Sequence, residues 1–265
     1  MKSLYTYISK PTIDGHVHAF DHKSCLDSLM LTKQCVGFAD IDLYHPDEYK
    51  DMVSLYKRNM DKCKYVKYWL AAGLDIDSIK KVYNEVDGIA GFGELKLYDD
   101  PRKTPKNHKS IDFLRKVLKF SNEVGNLPVY IHYELNTTKD VEKLENVIKD
   151  YPEVPIVHCH LGMNKWSHEF AFGEVVKLSH NYGNYYMDIS WSGAKWLVKN
   201  PLLITQLPVE RCIWGSDQSP KLNKMIEDGK SKDFTKAELE TEMETITKYI
   251  NSDHTIKRLF NDTAI

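Results

Sequence analysis

The sequence predicts a single α/β domain of the (β/α)8 TIM-barrel class over residues 1–265, and three observations carry that prediction. Short apolar, β-branched runs alternate with charged segments of helical pattern, the order that builds a parallel sheet. Eight such units can be traced, the number that closes a sheet into a barrel. Polar residues collect at the C-terminal ends of the runs while the interiors stay apolar. An open doubly wound sheet is the competing arrangement, but the first strand–helix turn lacks a Gly-x-Gly-x-x-Gly phosphate loop.

Strand one is read from Thr12 to His18 and strand two from Cys35 to Asp40, with a helix from near Pro46 to Met60. Strand three spans Val66 to Leu74, and Asp77 is the expected N-cap of a helix from Ile79 to Val86. Strand four covers Ile89 to Leu97. A polar loop with Pro101 and Pro105 then leads to an amphipathic helix, Ile111 to Glu123, that Gly125 stops. Strand five is Leu127 to His132, and strand six, Val154 to His160, follows a helix from Lys139 to Lys149. Strands seven and eight are Tyr185 to Ser190 and Cys212 to Asp217, and Lys236 to Leu259 reads as a closing helix. No linker or short repeat divides the chain.

Composition bounds the function. Hydrophobic residues make up 42% and charged residues 28%, enough for a real core in a globular protein. With 36 basic and 38 acidic residues the net charge is −2, which gives no electrostatic case for nucleic acid or an anionic membrane. A small-molecule substrate, attracted locally, is the expected partner, and a homo-oligomer is left open. The start, Met1 to Tyr5, lacks the apolar core of a signal peptide, and no apolar run reaches the length of a membrane span. Five scattered cysteines without a Cys-x-x-Cys pair fit reduced thiols in a cytoplasmic protein better than a disulfide framework.

Chemistry enters at Ile13-Asp14-Gly15-His16-Val17-His18. Alternate side chains of a strand share a face, so His16 and His18 stand side by side. Two imidazoles converging this way can hold one divalent ion, though a lone His-x-His also recurs as a polar strand face. What strengthens the metal reading is company. Glu94 and Lys96 end strand four, His132 strand five, His158 and His160 strand six, and Asp217 strand eight. In a barrel those ends meet at one mouth, where barrel enzymes place their chemistry. His158, two residues before His160, is expected to face the interior one layer deeper, as a hydrogen-bond partner. Tyr98, Tyr133, Trp166 and Trp191 lie just past strand ends, where they can wall a pocket or simply pack, and Arg102 is a candidate mouth cation.

Asp14-Gly15-His16-Val17-His18, His132, His160-Leu161-Gly162 and Trp214-Gly215-Ser216-Asp217 together resemble the amidohydrolase superfamily. The resemblance is strongest to its amidohydrolase-2 branch, the relatives of aminocarboxymuconate-semialdehyde decarboxylase. It implies a divalent metal, usually zinc, surrounded by His16, His18, His132 and Asp217, with His160 either binding a second metal or touching substrate. Gly93-Glu94-Leu95 is similar to the Gly-Glu-Ile of TatD-type nucleases, where the glutamate can bridge two metals, so one or two ions of Zn2+ or Mn2+ are expected. Lys96 shares the face of Glu94. Other branches carboxylate such a lysine; pairing with Glu94 or with a substrate carboxylate is the plainer reading.

The expected activity is that of a metal-dependent hydrolase cleaving an amide, lactone or ester. Zinc lowers the pKa of its bound water toward about 7. Asp217 takes the proton and passes it to the leaving group, while the metal and His160 polarise the carbonyl. Lys96 and Trp191 are the candidate substrate-binding residues. Non-oxidative decarboxylation is the main alternative, TatD-type phosphodiester hydrolysis a second, and a metal-binding barrel without turnover the non-enzymatic one.

Overall fold

A computed structural model describes residues 13–18, 34–38, 52–63, 66–73, 75–97, 111–163, 167–217 and 236–250. Expectations placed on Thr12, on residues 39–40, on the start of the first helix at 46–51, on Leu74 and on 251–259 lie outside those residues. Eight strands run parallel and follow one another round a single sheet in chain order. They are β1 (Ile13–His18), β2 (Gln34–Phe38), β3 (Val66–Ala71), β4 (Ile89–Lys96), β5 (Val129–His132), β6 (Ile156–His158), β7 (Tyr185–Ile189) and β8 (Cys212–Trp214). Described helices are α1 (Met52–Lys62), α2 (Ile76–Glu85), α3 (Ile111–Glu123), α4 (Thr138–Asp150), α5 (His168–Asn181), α6 (Trp191–Lys199) and α7 (Lys236–Tyr249). Sequential parallel neighbours, with helices in the described connections, make the (β/α)8 barrel. None of the described helices is long and apolar enough to cross a membrane.

Local chemistry sets the helix ends. α4 begins with a capping box in which the Thr137 hydroxyl accepts from the Asp140 amide and the Asp140 carboxylate accepts from the Thr137 amide. The N-cap of α2 is Asp75, not Asp77: the Asp75 carboxylate accepts from the Ser78 amide at 2.7 Å, and the helix starts before Ile79. Asp77 falls in the first turn instead, where a carboxylate complements the helix dipole.

The core has two layers. Ile13, Val36, Leu70, Tyr130, Val157, Cys159 and Ile213 fill the barrel. Val17, Phe92, Leu95, Ile131, Ile156, Met187 and Trp214 face outward into the larger core shared with the helices, including Leu114, Leu118, Leu144 and Leu197. The β1–β8 seam is closed by one buried carboxylate. Asp14 Oδ1 accepts from the Ser216 amide at 2.8 Å and the His16 amide at 3.2 Å, and the Asp217 amide donates to the His16 carbonyl at 2.9 Å. The seam bonds therefore join β1 to the segment after β8 that carries Asp217.

Strand parity is broken where the polar residues sit. The β4–β5 register shifts between Phe92 and Leu95, so outward-facing Phe92 is followed by Glu94 on the inside and Leu95 on the outside. Gly93 makes the switch with φ +119°, and a Cβ there would stand 2.4 Å from the Tyr130 carbonyl oxygen. Backbone cannot be pushed aside as a flexible side chain can. Gly93→Ala is expected to destabilise the fold by at least ~2 kcal/mol in chemical denaturation. An unchanged unfolding midpoint would show that the strand does not need the kink.

Candidate metal centre

His16 and Asp188 form the buried foundation of the barrel mouth. His16 Nδ1–H donates to Asp188 Oδ2 at 2.5 Å, with both side chains fully buried, which turns His16 Nε2 to the mouth. The Ser190 hydroxyl donates to the same Asp188 oxygen at 2.9 Å and accepts from His160 Nδ1 at 2.8 Å. One carboxylate near the end of β7 thus orients two histidines, one on β1 and one in the turn after β6. Neither Asp188 nor Ser190 was among the residues singled out in the sequence. The available sign was an aspartate between Met187 and Ile189 in an otherwise apolar strand.

Two further carboxylates face these imidazoles. Glu94 Oε1 lies 2.8 Å from His132 Nδ1 and 3.3 Å from His160 Nε2, and its Oε2 lies 3.8 Å from His18 Nε2 and 3.9 Å from Lys96 Nζ. Asp217 Oδ1 lies 2.9 Å from His18 Nε2 and 3.3 Å from His16 Nε2. The donor atoms fall into overlapping groups, His16–His18–Glu94, His16–His160–Asp217 and Glu94–His132–His160, each within 4.8 Å of one another. Imidazole nitrogen with carboxylate oxygen, held this closely, fits a zinc- or manganese-like divalent ion. Glu94, His16 and His160 each belong to two of these three groups.

The charges explain why such burial is tolerated. Desolvation works against ionised Glu94, but His132 and His160 and the Lys96 ammonium outweigh it and hold the carboxyl well below its usual range. Asp217 is likewise opposed by burial, yet His16, His160 and His18 draw it down to about 2. Burial lowers His132, only partly offset by Glu94, so it is neutral. His160 moves the other way: burial opposes its charge, but Asp217 and Glu94 raise it to about 9. A protonated His160 supplies positive charge between the two carboxylates.

All six sequence-predicted ligands, His16, His18, Glu94, His132, His160 and Asp217, come together. Two do so by a route different from the expected one. β6 ends at His158, and His160 lies in the following 3-10 turn (Cys159–Gly162) at φ 55°. Asp217 lies three residues beyond β8, also at φ 55°. Both are turn residues aimed by left-handed backbone, not by strand alternation. His158 corrects the expectation of an inward side chain. Val157 and Cys159 face the barrel interior, so His158 faces out, toward Tyr185 of β7. Lys96 sits at the edge of the centre as the ion-pair neighbour of Glu94. Trp191, 40% exposed, sets its ring at 5.4 Å and 80° to that of His160. Tyr133 is partly buried, packed against the outer core, while Tyr98, Arg102 and Trp166 lie outside the described residues.

The amidohydrolase-2 family model, described as amidohydrolase, matches residues 77–262, well over half of the chain. The chain belongs to the amidohydrolase-2 family. Comparison with curated protein sequences gives no match. Among solved structures, this chain is similar to an amidohydrolase from Burkholderia multivorans with bound zinc, at TM-score 0.64 and 10% identity, covering 95% of this chain and 96% of that one. It is also similar to dihydroorotase from Campylobacter jejuni, at TM-score 0.58 and 18% identity over 95% and 81% of the two chains. IDCase from Metarhizium anisopliae aligns at TM-score 0.57 and 12% identity over 91% and 77%. At such identities the likeness is one of fold.

The raised His160 gives the centre a pH signature. Below about pH 9 that imidazole carries a proton which an incoming cation must displace. Affinity for manganese is therefore expected to rise with pH between 7 and 9, by about tenfold per unit for one proton released. Calorimetric titration in buffers of different ionisation enthalpy measures both quantities. An affinity independent of pH over that range, without proton release, would contradict the assignment.

Proposed function

We propose that this protein is a metal-dependent hydrolase that cleaves an amide, lactone or ester bond in a small molecule. The observation that carries the reading is the sharing of Glu94 between two donor groups at one barrel mouth. His16, His18 and Asp217 would hold one divalent ion, His132 and His160 a second, with Glu94 between them. When bound, such an ion supplies Lewis acidity, polarising a carbonyl and lowering the pKa of water toward about 7.

The remaining chemistry belongs to the chain. Asp217, kept anionic by its imidazole neighbours, accepts the proton of the attacking water and delivers it to the leaving nitrogen or oxygen. Asp188 and Ser190 keep His16 and His160 in the tautomers that present Nε2 to the mouth. His160 would act as a ligand in the two-ion state, and would polarise the substrate carbonyl directly in a one-ion state. Lys96 and Trp191, at the edge of the centre, would meet the substrate. The distance of Lys96 from Glu94, 3.9 Å, supports an ammonium in an ion pair over a carboxylated bridge, because Glu94 already stands between the two groups.

Turnover of manganese- or zinc-loaded protein on a panel of amides, lactones, esters, phosphodiesters and carboxylated acids tests the reading. Hydrolysis of a carbonyl substrate is expected, and Asp217→Asn should cost about 10²–10⁴-fold in kcat with metal still bound. Near-wild-type turnover by that variant would remove Asp217 from proton transfer. Release of carbon dioxide or cleavage of a phosphodiester, with no carbonyl hydrolysis, would replace the proposed reaction.

A further inference from the structure

His158 is a fully buried histidine that belongs to none of the donor groups at the mouth. Both its nitrogens are engaged elsewhere. Nε2 lies 2.6 Å from the Tyr133 carbonyl, which can only accept, so Nε2 carries the hydrogen. Nδ1 then accepts from the Tyr185 hydroxyl at 2.5 Å. One tautomer satisfies both partners, and the ring is locked between β7 and the segment that follows β5. Tyr133 directly follows His132. Beyond it, the Leu135 amide donates to the Gly162 carbonyl at 3.0 Å, tying the same segment to the 3-10 turn that carries His160. Gly162 lies against the His158 ring: at φ +61°, a Cβ there would stand 2.7 Å from His158 Cε1. His158 therefore touches both segments, the one after His132 and the one after His160.

We infer that His158 is a positioning residue that sets the distance between His132 and His160 and so tunes the Glu94–His132–His160 side of the centre. This rests on the metal-centre reading above. His16, His18 and Asp217 come from the β1–β8 seam, and no bond of His158 reaches them. His160 also stands within reach of His16 and Asp217, whereas His132 does not, so the loss of His158 should act mainly on the step that uses His132 and far less on the other. A residue that merely stabilised the barrel would have no such selectivity.

Manganese titration of the metal-free full-length chain, by calorimetry and by the resonance signal of free manganese, separates the cases. His158→Leu is expected to weaken one of two binding steps by about 10–100-fold and to leave the other within about twofold. His158→Gln, whose amide can still donate to the Tyr133 carbonyl, should recover part of that loss. Leu144→Ala, a cavity in the buried face of α4, should lower Tm with both steps unchanged. Should His158→Leu fail to fold, Tyr185→Phe removes only the hydroxyl and should weaken the same step to a smaller degree. Two steps that weaken equally, or a wild-type titration reproduced by His158→Leu, would overturn the inference alone. A wild-type chain that takes up no manganese would overturn it together with the metal-centre reading.

Discussion

A glutamate only 5% exposed, ringed by the imidazoles of His132, His160 and His18 and by the Lys96 ammonium, is the contact on which the barrel mouth depends. Burying a carboxylate is costly unless charge and hydrogen bonds compensate, and replacing one partner leaves the others uncompensated. Glu94 and Asp217 both remain ionised because histidines from three strand ends converge on them. Glu94, Asp217 and the histidines therefore form a mutually dependent set. The protonated His160 fills an electrostatic role that a divalent cation is suited to take.

The barrel supplies this convergence by departing from its own regularity. Strand alternation alone would send Glu94 outward with Phe92, and the kink at Gly93 reverses it. His160, Trp191 and Asp217 all adopt positive φ just past the ends of β6, β7 and β8. Left-handed backbone at non-glycine residues is uncommon and persists where surrounding structure enforces it. Here the enforcing contacts are visible. The Asp217 amide is held by the His16 carbonyl, and the His160 ring by Ser190. Asp188 links the two sides, holding His16 directly and His160 through Ser190.

Much of this was legible in the sequence, for reasons that differ by residue. The alternation of apolar runs with helical segments gave the barrel, and α3 carries the bounds its periodicity indicates, Ile111 to Glu123. His16, His18 and His132 follow from strand pattern, since they stand on or at the end of true strands. His160 and Asp217 were picked out as strand-end residues although they belong to turns; their chemistry was informative where the assumed geometry was not. For His158 the same assumption of continuing alternation put the ring on the wrong side of the sheet. α5 escaped notice because apolar residues such as Phe170, Phe172, Val175 and Val176 surround it without one clean face. Asp188 and Ser190 escaped because a polar residue within a strand declares its role only when its partner, 172 residues away in the case of His16, is folded against it.

The central claim is that Glu94 is shared between two ion sites. The most direct measurement is the number of manganese or zinc ions retained per chain by wild type and by Glu94→Gln, from elemental analysis after equilibrium dialysis. The account expects two ions in the wild type and one in the variant, with His16, His18 and Asp217 keeping theirs. A single ion in both proteins would contradict it and reduce Glu94 to a hydrogen-bond partner of His132.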